Sequence, residues 1–294
     1  MSIEMKGITK QYPNVKALDD VNMVFPNNSI VGLIGFNGSG KTTSFNILTN
    51  LLEKFDGSVL IDGKPITQKD RYKFSYLSAG AEPQNQERVL DQLKYIGGLH
   101  GLNSKELLEI IEPIVDVLDF RDKLKKPIKS LSKGNQQKIK LVQAFINPSM
   151  KYLLLDEPFD GLDPLMVEKI KNFILKRRKG LTIIVTSHRM EVVDSMCDSF
   201  YVLKDGVVVD SKVADKRDLS VLMEVNKEVP DSVFDKVSDI LEVVRGKQTT
   251  VLKIKDLKSF KKVNASIITS PKYVWSSLKE KKLTESVFEG YGND

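Results

Sequence analysis

Residues 35–42 of the chain read GFNGSGKT, a glycine-rich stretch between an apolar run and a helical pattern. The apolar run is Ile30 to Ile34, and the helical pattern covers residues 43–48. In such a loop successive backbone N–H groups can point at one anion, and the N-terminus of the following helix adds partial positive charge. Strand, loop and helix in this order predict a phosphate-binding loop rather than an ordinary turn before a helix.

Two side chains of this loop have roles that their chemistry predicts. Lys41 can reach the β- and γ-phosphates of a nucleotide, and the hydroxyl of Thr42 can bind Mg²⁺. The loop therefore predicts a nucleotide site. The residues assigned to it are Gly35, Phe36, Asn37, Gly38, Ser39, Gly40, Lys41, Thr42 and Thr43.

The composition narrows the class of protein. The chain has 294 residues, of which 41% are hydrophobic, enough for a core in one large domain or two smaller ones. No apolar run approaches the ~20 residues of a membrane helix, and the N-terminus lacks an apolar signal region, so we expect a cytoplasmic chain. Cys197 is the only cysteine, which excludes an internal disulfide and a cysteine metal site.

The chain is basic, with a net charge of +6 at pH 7. This charge is compatible with a nucleic acid or an anionic membrane surface as partner. No arginine–aromatic cluster accompanies it, so a solvated lysine-rich surface is the favoured interpretation. We therefore expect no nucleic-acid partner.

A second apolar run ends in two carboxylates. Tyr152 to Leu155 is followed by Asp156 and Glu157, as in a buried parallel strand that delivers acids to the carboxyl edge of a sheet. There Asp156 can hold Mg²⁺ through water, and Glu157 can orient or deprotonate a water molecule. The alternative is a strand that runs out into a polar turn, and the phosphate loop elsewhere in the chain argues against it.

A third apolar run, residues 181–186, precedes His188. This histidine should emerge at the same sheet edge as Glu157, which favours a functional over a structural role. Tyr12, upstream of the phosphate loop, could stack on an adenine ring, although its position alone favours packing on its own sheet.

The stretch LSKGNQQ at residues 131–137 leads into a helical pattern. Ser132 and Gly134 could offer donors to an anion there, or they could simply cap the helix. Asp163 and Pro164 are predicted to begin the next helix, with Asp163 as its N-cap.

The remaining patterns predict two domains, residues 1–212 and 213–294. Residues 2–8 and 17–25 are predicted strands around a turn at Pro13, and about 70–145 is a mostly helical insertion in which Ser104 caps a helix. The second domain is predicted as a small α+β fold. Its predicted strands are Val221 to Val225, Thr250 to Ile254 and Ala265 to Ile268, and its predicted helices are Asp231 to Leu241 and Lys279 to Phe288.

Five of these pieces together resemble the motifs of the ABC ATPases. GFNGSGKT, LSKGNQQ, YLLLDEP, GLD at residues 161–163 and Ser187-His188 are similar to the Walker A, signature, Walker B, D-loop and switch-histidine motifs, respectively. The resemblance covers residues 2 to about 210, and the signature is the piece specific to this family. It implies an α/β phosphate-loop NTPase core with an antiparallel β subdomain and a helical subdomain.

The resemblance also implies ATP hydrolysis with Mg²⁺. Thr42 and Asp156 would be the metal ligands, and Glu157 and His188 the catalytic residues. Tyr12 stands where this family stacks an aromatic ring on adenine.

A further implication of the resemblance is a head-to-tail dimer that buries two ATP molecules between its chains. Each site would take Ser132 and Gly134 from the opposite chain, and Gln136 and Asp163 complete the residues assigned to nucleotide binding. The dimer could be a homodimer or a heterodimer with another ABC ATPase.

The expected partners are separate membrane-spanning permease subunits, with this chain peripheral at the cytoplasmic face of the membrane. The C-terminal residues resemble the accessory domain of a subgroup of bacterial transporter ATPases. Many members of that subgroup export drugs, antimicrobial peptides or lipids, or sodium, which makes export the expected direction by analogy.

The sequence departs from the family pattern at two places. In the signature, Lys133 replaces a glycine and Asn135 replaces the glutamine. In the loop where the family carries a metal-binding glutamine, this chain has Ala79, which cannot bind a metal, although Glu82, Gln84 or Gln86 could take that role. The alternatives are a soluble, non-transport ABC protein and a nucleotide-dependent regulatory subunit with little turnover.

Overall fold

The computed structural model describes residues 2–80, 88–188, 190–213, 221–226, 229–234, 240–245, 249–254, 263, 267 and 276–279. The chain divides into two compact units, Met1–Val213 and Ala214–Asp294. Each unit has a hydrophobic core of its own. The two are described separately below.

The first unit begins with an antiparallel sheet of four strands: β1 (Ser2–Tyr12), β2 (Val15–Pro26), β4 (Asp56–Ile61) and β5 (Lys64–Pro65). Their order in the sheet is β2-β1-β4-β5. Alternate apolar residues of β1, Ile3 and Met5, are buried, as expected for a sheet with one face on the core. The two predicted N-terminal strands are confirmed, and each extends further toward the turn.

The central sheet has six strands: β3 (Ile30–Ile34), β6 (Phe74–Leu77), β7 (Tyr152–Leu155), β8 (Thr182–Ser187), β9 (Ser199–Lys204) and β10 (Val207–Val213). Their order in the sheet is β10-β9-β3-β8-β7-β6. All neighbours pair in parallel except β10, which pairs antiparallel with β9.

Both faces of this sheet are covered, and every residue of β3, β7 and β8 is buried. Leu153 and Leu155 of β7 pack into one core cluster, whereas Leu154 packs into the other. Because side chains alternate between the faces of a strand, a strand buried on both sides needs an unbroken apolar run. The carboxyl ends of β3, β7 and β8 consequently meet at one edge of the sheet.

Six helices complete the first unit in its described residues. They are α1 (Lys41–Leu48), α2 (Val89–Leu99), α3 (Ser104–Val117), α4 (Lys133–Ala144), α5 (Pro164–Arg177) and α6 (Met190–Met196). None of the helices that the structure describes is long and apolar enough to span a membrane.

The predicted cap of α3 is wrong by one residue. Asn103, not Ser104, is the N-cap: its side-chain oxygen accepts hydrogen bonds from Lys105 N and Glu106 N, and Glu106 bonds back to Asn103 N. Asparagine and serine are both good caps, and the reciprocal bond from an acid three residues on decides between them.

The second unit contains an antiparallel sheet with the order β12-β13-β11-β14. Its described elements are β11 (Val221–Asn226), α7 (Asp231–Phe234), β12 (Ile240–Arg245), β13 (Thr249–Ile254) and β14 (Ser276–Lys279). Apolar side chains from β11, β13 and α7 form its core, among them Val225, Leu252 and Phe234.

Two predicted strands of this unit, at residues 221–225 and 250–254, are confirmed. The helix predicted over Asp231 to Leu241 is confirmed at its start, Asp231–Phe234. Its predicted end is wrong, because the β-branched run from Ile240 pairs with β13. Residues 235–239 lie outside the described residues. Ile267 is helical rather than extended, and Lys279 ends a strand rather than beginning a helix. Residues 280–288 of that predicted helix lie outside the described residues.

Candidate active site

The phosphate loop connects β3 to α1 and depends on glycine at three positions. Gly38 and Gly40 have φ angles of +84° and +107°, in the region that side chains rarely adopt. A Cβ atom on Gly35 would lie 2.4 Å from the carbonyl oxygen of Leu203 and 2.4 Å from Ser39 Oγ. The loop therefore needs glycine for backbone conformation and for close packing, as the sequence predicted.

Lys41, the first residue of α1, lies back over this loop. Its Nζ donates hydrogen bonds to the carbonyl oxygens of Gly35 (2.6 Å) and Phe36 (3.0 Å). Burial lowers the pKa of the ammonium group, and the nearby carboxylates of Glu157 and Asp156 oppose that shift. A buried cation with two exchangeable carbonyl partners is suited to an incoming phosphate.

Asp156 follows β7 and is 1% exposed. Its Oδ2 accepts a hydrogen bond from Thr42 Oγ1 (2.9 Å), and its Oδ1 accepts one from Thr186 Oγ1 (2.7 Å). A buried carboxylate bonded to a hydroxyl beside a phosphate loop is a donor set that fits Mg²⁺, which prefers oxygen ligands and retains waters.

Thr186 is a residue of this site that the sequence analysis missed. Besides binding Asp156, its Oγ1 accepts a hydrogen bond from Glu157 N (2.8 Å). The available signal was a hydroxyl near the carboxyl end of β8, next to β7 in the sheet. Gln137 was also missed; its Nε2 donates to the carbonyl oxygens of Glu157 and Pro158, both at 3.2 Å.

Glu157 has a φ of +47°, a conformation uncommon outside glycine, and it directs its carboxylate toward His188. Glu157 Oε2 lies 3.1 Å from His188 Nδ1. The other oxygen, Oε1, is buried without a hydrogen-bond partner among the residues that the structure describes. Burial raises the pKa of this carboxyl, and His188 partly offsets the rise.

These groups border an open cleft of about 330 Å³. Its walls include Tyr12, which is 37% exposed and has Lys10 Nζ 4.9 Å from its ring centroid. Ala79 also lines the cleft, and its carbonyl oxygen accepts a hydrogen bond from Lys140 (3.1 Å). From the predicted site the cleft is lined by Tyr12, Asn37, Gly38, Gly40, Lys41, Thr42, Thr43, Asp156 and Glu157.

Eight predicted residues do not line this cleft. Four of them border it in the chain or in space: Gly35, Phe36, Ser39 and His188. The other four lie at the starts of α4 and α5. Ser132 caps α4, where its Oγ accepts from Asn135 N (3.4 Å), and Gln136 Nε2 donates to the carbonyl oxygen of Leu131 (3.3 Å). Asp163 caps α5 as predicted, through Met166 N (2.9 Å). A Cβ atom on the fourth residue, Gly134, would lie 2.9 Å from the carbonyl oxygen of Gly161.

The loop that follows β6 is described only as far as Gly80. Ser78 and Ala79 occupy the positions next to β6, as the family resemblance predicted. Glu82, Gln84 and Gln86, the candidate substitutes for a metal-binding glutamine, lie outside the described residues.

Comparisons with known proteins identify the family to which the chain is similar. The profile of the family described as ABC transporter matches residues 18–160. The chain is 34% identical to the uncharacterized ABC transporter ATP-binding protein YhaQ of Bacillus subtilis, over 68% of this chain and 67% of that protein. It is 34% identical to MJ1023 of Methanocaldococcus jannaschii, an uncharacterized ABC transporter ATP-binding protein, over 70% and 76% of the two chains.

A third relative is the lantibiotic transport ATP-binding protein SrtF of Streptococcus pyogenes, 28% identical over 72% of this chain and 91% of that protein. Among solved structures, an ATP binding subunit of an ABC transporter superposes with a TM-score of 0.67 at 22% identity, covering 92% of this chain and all of the other. The dimeric bacterial ABC transporter cassette MJ0796 gives a TM-score of 0.66 at 23% identity, over 72% and 98% of the chains.

The fold is that of an α/β phosphate-loop cassette, and the superpositions confirm the predicted fold class. The sequence relatives identify the family within this fold. The chain belongs to the ATP-binding proteins of ABC transporters, a family of transport-associated ATPases.

Proposed function

We propose that the edge formed by the ends of β3, β7 and β8 is the centre at which this chain hydrolyses ATP. One observation carries the proposal: the Thr42–Asp156 hydrogen bond and the Glu157–His188 pair lie side by side where the phosphate loop opens. Phosphoryl transfer needs positioning and charge neutralisation above all, and these residues supply both.

Each residue has a role that follows from its contacts. Lys41 exchanges its two carbonyl partners for phosphate oxygens. Thr42 and Asp156 hold Mg²⁺, which neutralises charge on the phosphate oxygens when bound. Glu157 accepts a proton from the attacking water, and its raised pKa moves its basicity in the direction that a general base needs.

His188 and Tyr12 have supporting roles in this proposal. The imidazole of His188 fixes the orientation of the Glu157 carboxylate through the 3.1 Å contact. Tyr12 provides an exposed aromatic face in the wall of the cleft, on which adenine stacks.

The four predicted residues at the starts of α4 and α5 support a dimeric arrangement. In our proposal Ser132, Gly134, Gln136 and Asp163 contribute to the ATP site of a second cassette placed head to tail. Two large apolar side chains are exposed beside the assigned motifs: Leu165, two residues after Asp163, is 68% exposed, and Phe36 of the phosphate loop is 78% exposed. Exposed apolar residues of this size are typical of contact surfaces.

We further propose that the dimer binds separate membrane-spanning permease subunits from the cytoplasmic face and powers export of a peptide-, drug- or lipid-like substrate. The support is the similarity to SrtF, whose name assigns it to lantibiotic transport. Affinity purification from detergent-solubilised membranes tests this: we expect a polytopic membrane protein that raises the ATPase rate when the two are reconstituted. Recovery of ribosomes or nucleic acid instead would contradict it.

A regulatory subunit with little turnover is the second candidate, and Ala79 is the observation that favours it. A methyl group lines the cleft where the family carries a metal-binding glutamine. Water can complete the ligand shell of Mg²⁺, so we expect turnover that is slow in the isolated chain and faster with the permease. A rate that stays at background with the permease present would favour the regulatory alternative.

A further inference from the structure

Three side chains at the edge of the site form a cluster that ATP hydrolysis alone does not explain. Glu157, Asp160 and His188 each bring one ligand atom within 4.8 Å of the other two. The turn after β7 brings the two acids together, since Asp160 N donates to the carbonyl oxygen of Glu157 (3.3 Å). The end of β8 brings His188 to the same place.

The donor types in this cluster are those of a transition-metal site. One imidazole nitrogen and two carboxylate oxygens suit Zn²⁺, whereas Mg²⁺ prefers an all-oxygen shell. Three protein ligands leave a fourth position for water, as in open zinc sites. The Mg²⁺ donors Thr42 and Asp156 are not members of this cluster.

The distances are close to what a zinc ion requires. Bonds of about 2.0–2.2 Å in a tetrahedral site place neighbouring ligand atoms about 3.3–3.5 Å apart. The His188 Nδ1 to Glu157 Oε2 distance is already 3.1 Å. Asp160 and His188 are exposed, so small side-chain rotations bring the remaining pairs together from within 4.8 Å.

Glu157 has a carboxylate oxygen, Oε1, that is available to bind such an ion. Its Oε1 is buried and accepts no hydrogen bond in the described part of the chain, while its Oε2 lies 3.1 Å from the imidazole Nδ1 of His188. A buried carboxylate oxygen without a donor is costly, and a cation compensates it.

We propose that Glu157, Asp160 and His188 bind one Zn²⁺ ion in the nucleotide-free chain, and that the bound ion inhibits ATP hydrolysis. Inhibition follows because the ion occupies the carboxylate and the imidazole that the reaction uses. The predicted inhibition rests on the proposed function, whereas the predicted Zn²⁺ binding does not. Asp160 does not line the nucleotide cleft, so its variants test Zn²⁺ binding separately from nucleotide binding.

Zn²⁺ binding is tested first, on the full chain without a histidine tag and without nucleotide, by competition against a chromophoric chelator. We expect one ion per chain in the wild type and at least about tenfold weaker binding in Asp160→Asn. Asp56→Asn, which changes an exposed aspartate of β4, is the matched control and should bind like the wild type. Equal affinities of the wild type and Asp160→Asn would overturn the site.

Inhibition is tested with saturating Mg²⁺ and ATP at buffered free Zn²⁺ concentrations. We expect Zn²⁺ to inhibit the wild type and Asp56→Asn alike, and Asp160→Asn to keep most of its zinc-free rate and need about tenfold more Zn²⁺. Binding without inhibition would overturn the proposal. If the chain hydrolyses no ATP at all, the proposed function fails, and the chelator experiment still decides whether the metal site exists.

Discussion

At the scale of single residues, Lys41 offers the clearest test of nucleotide binding. Lys41→Ala should weaken ATP binding by about 1.5–3 kcal/mol, because a charge-assisted contact to phosphate is lost. The lower end is expected, since Lys41 gives up two carbonyl partners when it turns to the phosphate. Titration with a non-hydrolysable ATP analogue measures the change, and Lys64→Ala, in the exposed strand β5, should bind like the wild type.

Glu157 should give the protein a distinctive dependence of stability on pH. Burial raises the pKa of its carboxyl above the ordinary 4.5, so the folded chain holds this proton more tightly than the unfolded chain. The resulting stabilisation is present below the unfolded pKa and is lost as pH rises through the folded pKa. Glu157→Gln should therefore gain stability relative to the wild type as the pH rises above 4.5, the ordinary pKa of this carboxyl.

Thermal unfolding of both proteins across this range measures the difference. Glu109→Gln, a change on the exposed face of α3, is the matched control for the loss of one carboxylate. A Glu157→Gln difference that does not change with pH would mean that the Glu157 carboxyl is not perturbed in the folded chain.

Which residues meet at the cleft was predictable where a chain segment carries a recognisable pattern of its own. The contact of Lys41 with its own loop lies within seven residues, and the Thr42–Asp156 bond joins two segments that each had a recognisable pattern. Thr186 had no such pattern: threonine is common at the end of a strand, and only the pairing of β7 with β8 places its hydroxyl on Asp156.

At the scale of elements, the contact between the start of α4 and the loop before α5 is tight. Gly134→Ala would place a Cβ atom 2.9 Å from the carbonyl oxygen of Gly161, so backbone must move. We expect a loss of about 1–3 kcal/mol from crowding, which exceeds the helix-propensity gain of about 1 kcal/mol.

Gly98→Ala is the matched control for this helical glycine. A Cβ atom at Gly98 in α2 meets nothing within 4 Å, so the substitution should stabilise the protein by about 0.5–1 kcal/mol. Denaturant unfolding of both variants compares the two. Stabilisation by Gly134→Ala would show that the close approach of α4 to Gly161 does not exist in solution.

The strands of the central sheet were predictable because burial on both faces leaves an unbroken apolar run, as in Tyr152 to Leu155. The segment after Asp231 was not, since helical spacing of its apolar residues competes with the β-branched run at Ile240. Pairing with β13, a contact distant in sequence, decides in favour of the strand.

At the scale of the whole molecule, the first unit should function without the second. The residues assigned to ATP lie before residue 190, and the compact unit ends at Val213 with strand β10. A chain that stops at Val213 should fold cooperatively and bind ATP with the affinity of the full chain. Circular dichroism and nucleotide titration measure both, and an insoluble product would place the domain boundary elsewhere.

The contacts between two cassettes are the feature that the structure of a single chain shows least. Ser132 Oγ accepts a hydrogen bond from Asn135 N, and Gln136 Nε2 donates one to the carbonyl oxygen of Leu131, so their geometry is that of an ordinary helix N-terminus. Their assignment to the ATP site of a second cassette comes from the family resemblance. A contact that exists only between two copies leaves no pattern in the contacts of one.

The central claim is that Glu157, held by His188 beside the Asp156 metal position, is the base that activates water. The most direct measurement compares ATP affinity and steady-state hydrolysis of the wild type, Glu157→Gln and the neighbouring control Asp160→Asn. We predict that Glu157→Gln binds ATP normally, hydrolyses it about 10²–10⁴ times more slowly and accumulates as an ATP-bound dimer, whereas Asp160→Asn keeps most of its rate. Turnover of Glu157→Gln at the wild-type rate would contradict the account.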